Sequence, residues 1–350
     1  MLLGAYYYPW YGKAAYPIAG GGDWESGFTN QPVLGRYDNR DSGVIKKHLE
    51  WAREAGVDFL LMNWVNPESQ KDITLRDHVL PYLSDSGVKF CIHYDSSVAL
   101  NHLKPTAKPS YNFNERFAFE KTKGDKFLED IKYLSDTYFN HPQYLKINGL
   151  PVMVIYNVSA FRNNVSYFDK LPPLFLIADV VYWSGLKFSG KSLSFLWQTA
   201  PKDSLKVIMR ALKRIFPKSY EKDFKMSEYF KGITGYNLYN TNRSTNFLEN
   251  VNKLYAKFRN YALSQNLHFF PSLLPGYDDR KLNGLERPIL PRGDGKFYRE
   301  FWEIARKNLD PEIKMALLTS FNEWHEGTEI EPSEEYGKKY LELTKQEKYE

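Results

Sequence analysis

The stretch Lys314-Met-Ala-Leu-Leu-Thr-Ser-Phe321 is a short apolar run that passes directly into Asn322-Glu-Trp-His-Glu-Gly-Thr-Glu-Ile-Glu-Pro332. The run, Met315–Phe321, has the length of a strand, and carboxylates follow it at once. Seven further runs of the same apolar, β-branched or aromatic kind lie upstream: Leu2–Tyr8, Val57–Trp64, Val88–Tyr94, Pro151–Tyr156, Leu174–Val181, Gly232–Leu238 and His268–Leu273. Segments of helical period separate them: Gly43–Ala55, with Ile45, Leu49 and Ala52 on one face, Lys126–Tyr138, Asp203–Phe216, Asn246–Gln265 and Lys296–Asn308. Asp41-Ser42 and Thr245-Asn246 offer side-chain oxygens to the open N–H groups of two first turns. Strand and helix alternating in this way mark βα units. Parallel crossovers are right-handed and a parallel edge is poorly tolerated, so eight unbroken units predict an α/β fold, a single (β/α)8 TIM barrel over residues 1–350.

Composition narrows the function classes. Of 350 residues, 43% are hydrophobic and 25% charged, which suits a chain that buries a large core. The net charge of +5 is the small difference between 47 basic and 42 acidic residues. The Lys-rich stretches Lys121–Lys126 and Lys218–Lys225 alternate with acids and read as solvated helix faces, so no nucleic-acid partner is expected. Cys91 is the only cysteine, which excludes an intrachain disulfide, and its apolar run marks it as a core thiol. The start Met-Leu-Leu-Gly-Ala-Tyr-Tyr-Tyr-Pro-Trp10 lacks a secretory pattern and no stretch has membrane-helix length, so a cytoplasmic protein without a membrane partner is expected. Nothing in the sequence fixes the oligomeric state. Aromatic residues make up 16% of the chain. Most must fill the core, but Tyr and Trp also offer an apolar face with a polar tip, the pair of properties a sugar ring requires.

The long segments between elements follow strands: Trp10–Asp41 after the first, Ser96–Glu115 after the third and Pro275–Gly295 after the seventh. In such a barrel the loops after strands gather on one face, and that face carries the site. Glu323 and Glu326 follow the last strand onto the same face, held by a rigid element. They share one cavity only if the chain turns beyond Trp324, and Gly327 permits the turn. Two Glu residues among aromatic rings are what glycosidic cleavage needs, one protonating the leaving oxygen while the other works on the sugar side. Glu329 and Glu331 read instead as the start of a solvated helix. His325-Glu326 lacks the second His at helical spacing that a zinc site would show, so no metal is expected.

The segment Asn322–Glu331 resembles the terminal catalytic motif of glycoside hydrolase family 99, the endo-α-mannosidases, and of the related WbsX-like proteins of surface-polysaccharide clusters. Further motifs match in order. They are Tyr7-Tyr-Pro-Trp-Tyr-Gly12, Ala52-Arg-Glu-Ala-Gly-Val57, His141-Pro-Gln-Tyr-Leu-Lys-Ile-Asn-Gly-Leu-Pro-Val152 and Phe270-Pro-Ser-Leu-Leu-Pro-Gly-Tyr-Asp-Asp279. The resemblance implies a retaining α-glycosidase with no cofactor, acting on an oligosaccharide or polysaccharide through the substrate's own 2-hydroxyl. Glu323 would be the base that takes that hydroxyl proton, and Glu326 the acid at the leaving oxygen. It also implies a sugar site drawing on Tyr8, Trp10, Trp64, Tyr156, Tyr236, Tyr277 and Asp278, with Asn322, Trp324 and His325 of the motif itself.

Two departures fall on loops that would touch sugar. The third strand ends His93-Tyr-Asp95 in place of a Glu-containing segment, and the second ends Asn63-Trp64-Val65 without paired tryptophans. The alternative reading is a glycan-assembly protein or glycosyltransferase. A nucleotide-sugar enzyme would need a diphosphate cradle, and Gly20-Gly-Gly22, the only glycine run, opens no helix pattern.

Overall fold

The computed structural model describes residues 1–12, 24–25, 27–100, 113–161, 165–180, 226–236, 238, 246–284 and 289–350. The expected helix Asp203–Phe216, the cap residue Thr245 and Gly20–Gly22 lie outside the described residues. The strands are β1 (Leu2–Tyr7), β2 (Phe59–Trp64), β3 (Lys89–Asp95), β4 (Leu150–Tyr156), β5 (Phe175–Asp179), β6 (Gly232–Thr234), β7 (His268–Phe269), β8 (Ser272–Leu273) and β9 (Met315–Leu318), apart from the short strand Lys146–Ile147, which pairs antiparallel with the start of β4. Every neighbouring pair along this path is parallel, and nearly all of their residues are buried, which is why each reads as an apolar run rather than an alternation.

The path closes on itself through the seventh stave. His268 and Phe269 pair with Gly232 and Ile233 on one side, while Ser272 and Leu273 pair with Leu317 and Leu318 on the other. Only Phe270 and Pro271 separate the two halves, and they carry the ladder across. Phe270 N–H donates to the Ile233 carbonyl at 3.0 Å, and Leu317 N–H donates to the Pro271 carbonyl at 3.0 Å. Pro271 has no N–H to give, which breaks the stave into β7 and β8. Eight staves in a closed parallel ring are the expected (β/α)8 barrel.

Alternation along each strand sorts side chains between the lumen and the helices. Tyr6 meets the rings of His93 and Tyr236 at 4.8 and 4.9 Å, inside the barrel. Tyr7 points the other way, to His48 on the helix Ser42–Glu54. That helix starts as its sequence requires: the Asp41 side chain accepts from Gly43 N at 2.7 Å, and Ile45, Leu49 and Ala52 are buried. The helix Phe247–Ser264 differs from expectation, since its N-cap Asn246 makes no side-chain capping bond. Cys91 is fully buried, and burial pushes its thiol well above the ordinary range, as a core thiol demands. Among the described residues no helix is long and apolar enough to cross a membrane.

Candidate active site

The segment after β9 is a loop pinched at its neck. Ser320 N–H donates to the Thr328 carbonyl at 2.8 Å, and Glu331 N–H donates to the Phe321 carbonyl at 2.8 Å. Gly327 makes the reversal with φ of 61°, and a Cβ there would lie 3.1 Å from the backbone N and O of Asp278, so the expected turn is built at a position only glycine fills. Asn322 fastens the loop to the end of β1: its Oδ1 accepts from Tyr8 N at 2.8 Å and its Nδ2 donates to the Tyr8 carbonyl at 3.1 Å.

Glu323 and Glu326 leave this loop at different depths. Glu323 is 3% exposed, and its Oε1 accepts from His325 N at 3.2 Å, with His325 Nδ1 at 3.3 Å and the Tyr11 hydroxyl at 3.5 Å. The His325 ring stacks on Tyr11, and Tyr11 in turn stacks on Trp24. Glu326 is partly exposed, and its Oε2 accepts from the Tyr236 hydroxyl at 2.9 Å. Tyr236 accepts from the Tyr8 hydroxyl at 2.6 Å. Burial pushes the Tyr8 and Tyr11 hydroxyls far above their ordinary range, and the Glu323 charge adds to this, so both stay protonated donors.

Trp10 lies 4.6 Å from Tyr8, and Tyr156 lies 5.9 Å from Tyr236, ring centre to ring centre. The geometry thus gathers Tyr8, Trp10, Tyr156, Tyr236, His325, Glu323 and Glu326 at the carboxyl-end mouth of the barrel. Tyr277 and Asp278 border the same loop, since Asp278 N–H donates to the Glu326 carbonyl at 2.9 Å. The Asp278 carboxylate is engaged by Arg280, whose two bonds hold it below the usual range.

Two of the expected sugar contacts fall elsewhere. Trp64 is fully buried on the outer side of β2, where its Nε1 donates to Asp72 at 2.7 Å and its ring stacks on Tyr133. Strand alternation turns it away as it turns Asn63 inward. Trp324 is also fully buried, donating to Glu331 at 3.0 Å beneath the loop. Glu329 and Glu331 correct a second expectation, because neither begins a solvated helix. Glu329 is sealed with Arg292 at 2.9 Å and Asn30 at 2.7 Å; Glu331 accepts from Tyr37 at 2.7 Å and pairs with His48 at 3.0 Å. They anchor the loop from below.

Four residues near the mouth escaped the sequence reading. Tyr11 stood inside the motif Tyr7–Gly12, and His93 and Asn63 stood in the two departures, so a signal existed for each. Lys71 carried none. Its ammonium is buried, bonds Asn63 Oδ1 and lies 4.4 Å over the Trp10 ring. No group of three His, Cys, Asp or Glu among the described residues is placed to hold a metal.

A closed parallel barrel with two carboxylates on the loop beyond its last strand, ringed by aromatic hydroxyls, has the layout of a (β/α)8-barrel glycoside hydrolase. The chain belongs to glycosyl hydrolase family 99, whose profile matches residues 2–347. It is 27% identical over 307 residues to the glycoprotein endo-alpha-1,2-mannosidase of Mus musculus, covering 86% of this chain and 56% of that protein. It is 25% identical over 361 residues to a human glycoprotein endo-alpha-1,2-mannosidase-like protein, covering 94% and 68%. The chain therefore spans little more than half the length of the mouse protein. The family 99 endo-alpha-mannosidase structure from Bacteroides thetaiotaomicron matches with a TM-score of 0.64 at 19% identity, over 99% of this chain and 96% of that one, a likeness of fold.

Proposed function

We propose that the protein is a retaining α-glycosidase of the endo-α-mannosidase kind, cleaving an α-mannoside or related glycan with participation of the substrate's 2-hydroxyl. In this reading Glu323 removes the proton of that hydroxyl, and the hydroxyl oxygen closes on the anomeric carbon as the glycosidic bond breaks. Glu326 gives its proton to the leaving oxygen, then takes one from the water that opens the anhydro sugar, while Glu323 returns its proton to the freed 2-oxygen. The observation that carries the reading is the pairing of the two carboxylates on one pinned loop, one deep and fixed, the other partly exposed and bonded through Tyr236 to Tyr8. A base that acts on a positioned hydroxyl benefits from being rigid, and an acid that serves both leaving group and water must reach solvent. Family membership and the names of the relatives support the substrate class. Incubation with α-mannan and α-mannosyl oligosaccharides, read by mass spectrometry, tests it: release of mannosyl fragments by the wild type, and release slower by about a thousandfold by Glu326→Gln, is expected. Cleavage confined to glycans of another sugar would refute the substrate class.

A further inference from the structure

We propose that Lys71 and His93, tied together by Asn63, form a corner of the sugar site that recognises one neutral hydroxyl of the glycan and so helps decide which glycan is taken. The inference rests on the reading that the barrel mouth binds a glycan, and deepens it.

Lys71 stands on the short helix Gln70–Ile73 just beyond β2, with its ammonium buried against Asn63 and over Trp10. Among the described residues it forms no ion pair within 4.0 Å. An ammonium can only donate, so the Asn63 atom it touches is Oδ1 and the amide orientation is settled. Asn63 Nδ2 then faces His93 Nδ1 at 3.3 Å and donates to it. Burial, with Lys71 nearby, holds His93 down to about 3, so the ring is neutral, and a ring that accepts at Nδ1 carries its proton on Nε2. That Nε2 is buried and has no hydrogen-bond partner. The His93 Nε2–H therefore lacks an acceptor, and the Lys71 ammonium keeps N–H groups beyond the one it gives to Asn63, on either side of the same amide.

A hydroxyl oxygen satisfies both donors and returns its own proton to a carboxylate. The nearby carboxylates are Asp95 at the end of β3 and Glu323, the two acids whose charges act on Lys71. Burial raises the Asp95 carboxyl, against the pull of Lys71. The anionic group of a sulfated sugar or a uronate has no proton to give and would meet both acids, so a neutral hydroxyl fits this corner and the anionic group does not.

The groups facing Lys71 are Asp95 and His93 from β3 and Glu323 from the catalytic loop. Burial brings Lys71 down to about 8, so its charge fades as pH rises from 7 to 9 and the corner loses its cation. Calorimetric titration of the Glu326→Gln protein tests the proposal, using α-mannobiose, its monodeoxy analogues, neutral β-glucan oligosaccharides and oligouronates. One monodeoxy analogue is expected to bind about tenfold to a hundredfold more weakly than its parent, as a lost buried hydrogen bond implies. Adding Lys71→Met should erase that discrimination and the weakening of the parent between pH 7 and 9. The pH profile without the second substitution stands as a test even if that variant folds poorly. Binding of α-mannobiose that is indifferent to Lys71→Met and to pH would overturn the corner and leave the proposed function intact. Loss of a neutral β-glucan on Lys71→Met, with no α-mannoside bound, would uphold the corner and refute the substrate class. Tighter binding of oligouronates, or no binding by any probe, would overturn the corner.

Discussion

The Tyr236 hydroxyl donates to Glu326 Oε2 at 2.9 Å while accepting from Tyr8 at 2.6 Å, so the partly exposed carboxylate is oriented by the segments just past β6 and β1 at once. In the proposed mechanism this fixes the acid relative to the leaving oxygen. Glu326→Gln should lower kcat on natural glycans by about a thousandfold, within the range general acid catalysis supplies. A substrate with an activated aryl leaving group needs little protonation and should lose far less. Tyr236→Phe should show the same preference more weakly. Equal losses on both substrates would count against Glu326 as the acid.

Glu329 gives a stability prediction with a defined sign. Burial raises its carboxyl from 4.5 to about 7 although Arg292 opposes the rise. A carboxyl raised in the folded state favours folding while protonated, so its contribution is whole below pH 4.5 and lost as pH climbs through 7. The shift corresponds to about 3 kcal/mol. Urea midpoints measured from pH 4.5 to 8 should fall more steeply for the wild type than for Glu329→Gln. Parallel profiles would show that Glu329 does not titrate in this window.

Metal removal should leave activity within about twofold of the untreated protein, because no described cluster offers the three or four ligands a catalytic ion needs. Complete loss on EDTA treatment, restored by a divalent cation, would overturn this.

The barrel was legible because strands buried on both faces leave unbroken apolar runs, and every expected run overlaps an observed strand. The split of the seventh stave at Pro271 was not inferred, although proline carries that signal. The place of Glu323 and Glu326 at the mouth was legible, since chain order alone delivers residues just past a strand end to that face. Trp64 was misassigned because identity was weighed and alternation was not: with Asn63 turned inward, its neighbour must face the helices. Glu329 and Glu331 show the harder limit. Four acids in ten residues look solvated when read locally, and the partners that bury these two, Asn30, Tyr37, His48 and Arg292, come from other loops and helices. Lys71 is hidden for the same reason, since nothing near it in sequence announces Trp10 or His93.

The role of Glu323 separates two kinds of covalent chemistry. If it only takes the 2-hydroxyl proton, a 2-fluoro or 2-deoxy sugar offers nothing to deprotonate, and such a compound should neither turn over nor label the protein. Were Glu323 a nucleophile, the 2-fluoro sugar would be trapped on it as a stable ester. The surroundings favour the base: its Oε1 faces His325 N and Nδ1, and it shares one loop with the acid three residues on. Barrel enzymes with a carboxylate nucleophile usually draw their two acids from different strand ends, which sets the gap the sugar must span. Incubation with a 2-fluoro mannosyl fluoride followed by intact-mass measurement should show unmodified protein, while Glu323→Gln should lower kcat on natural and activated substrates alike. An added sugar mass mapped to Glu323 would replace the substrate's hydroxyl with the enzyme's carboxylate as the attacking group.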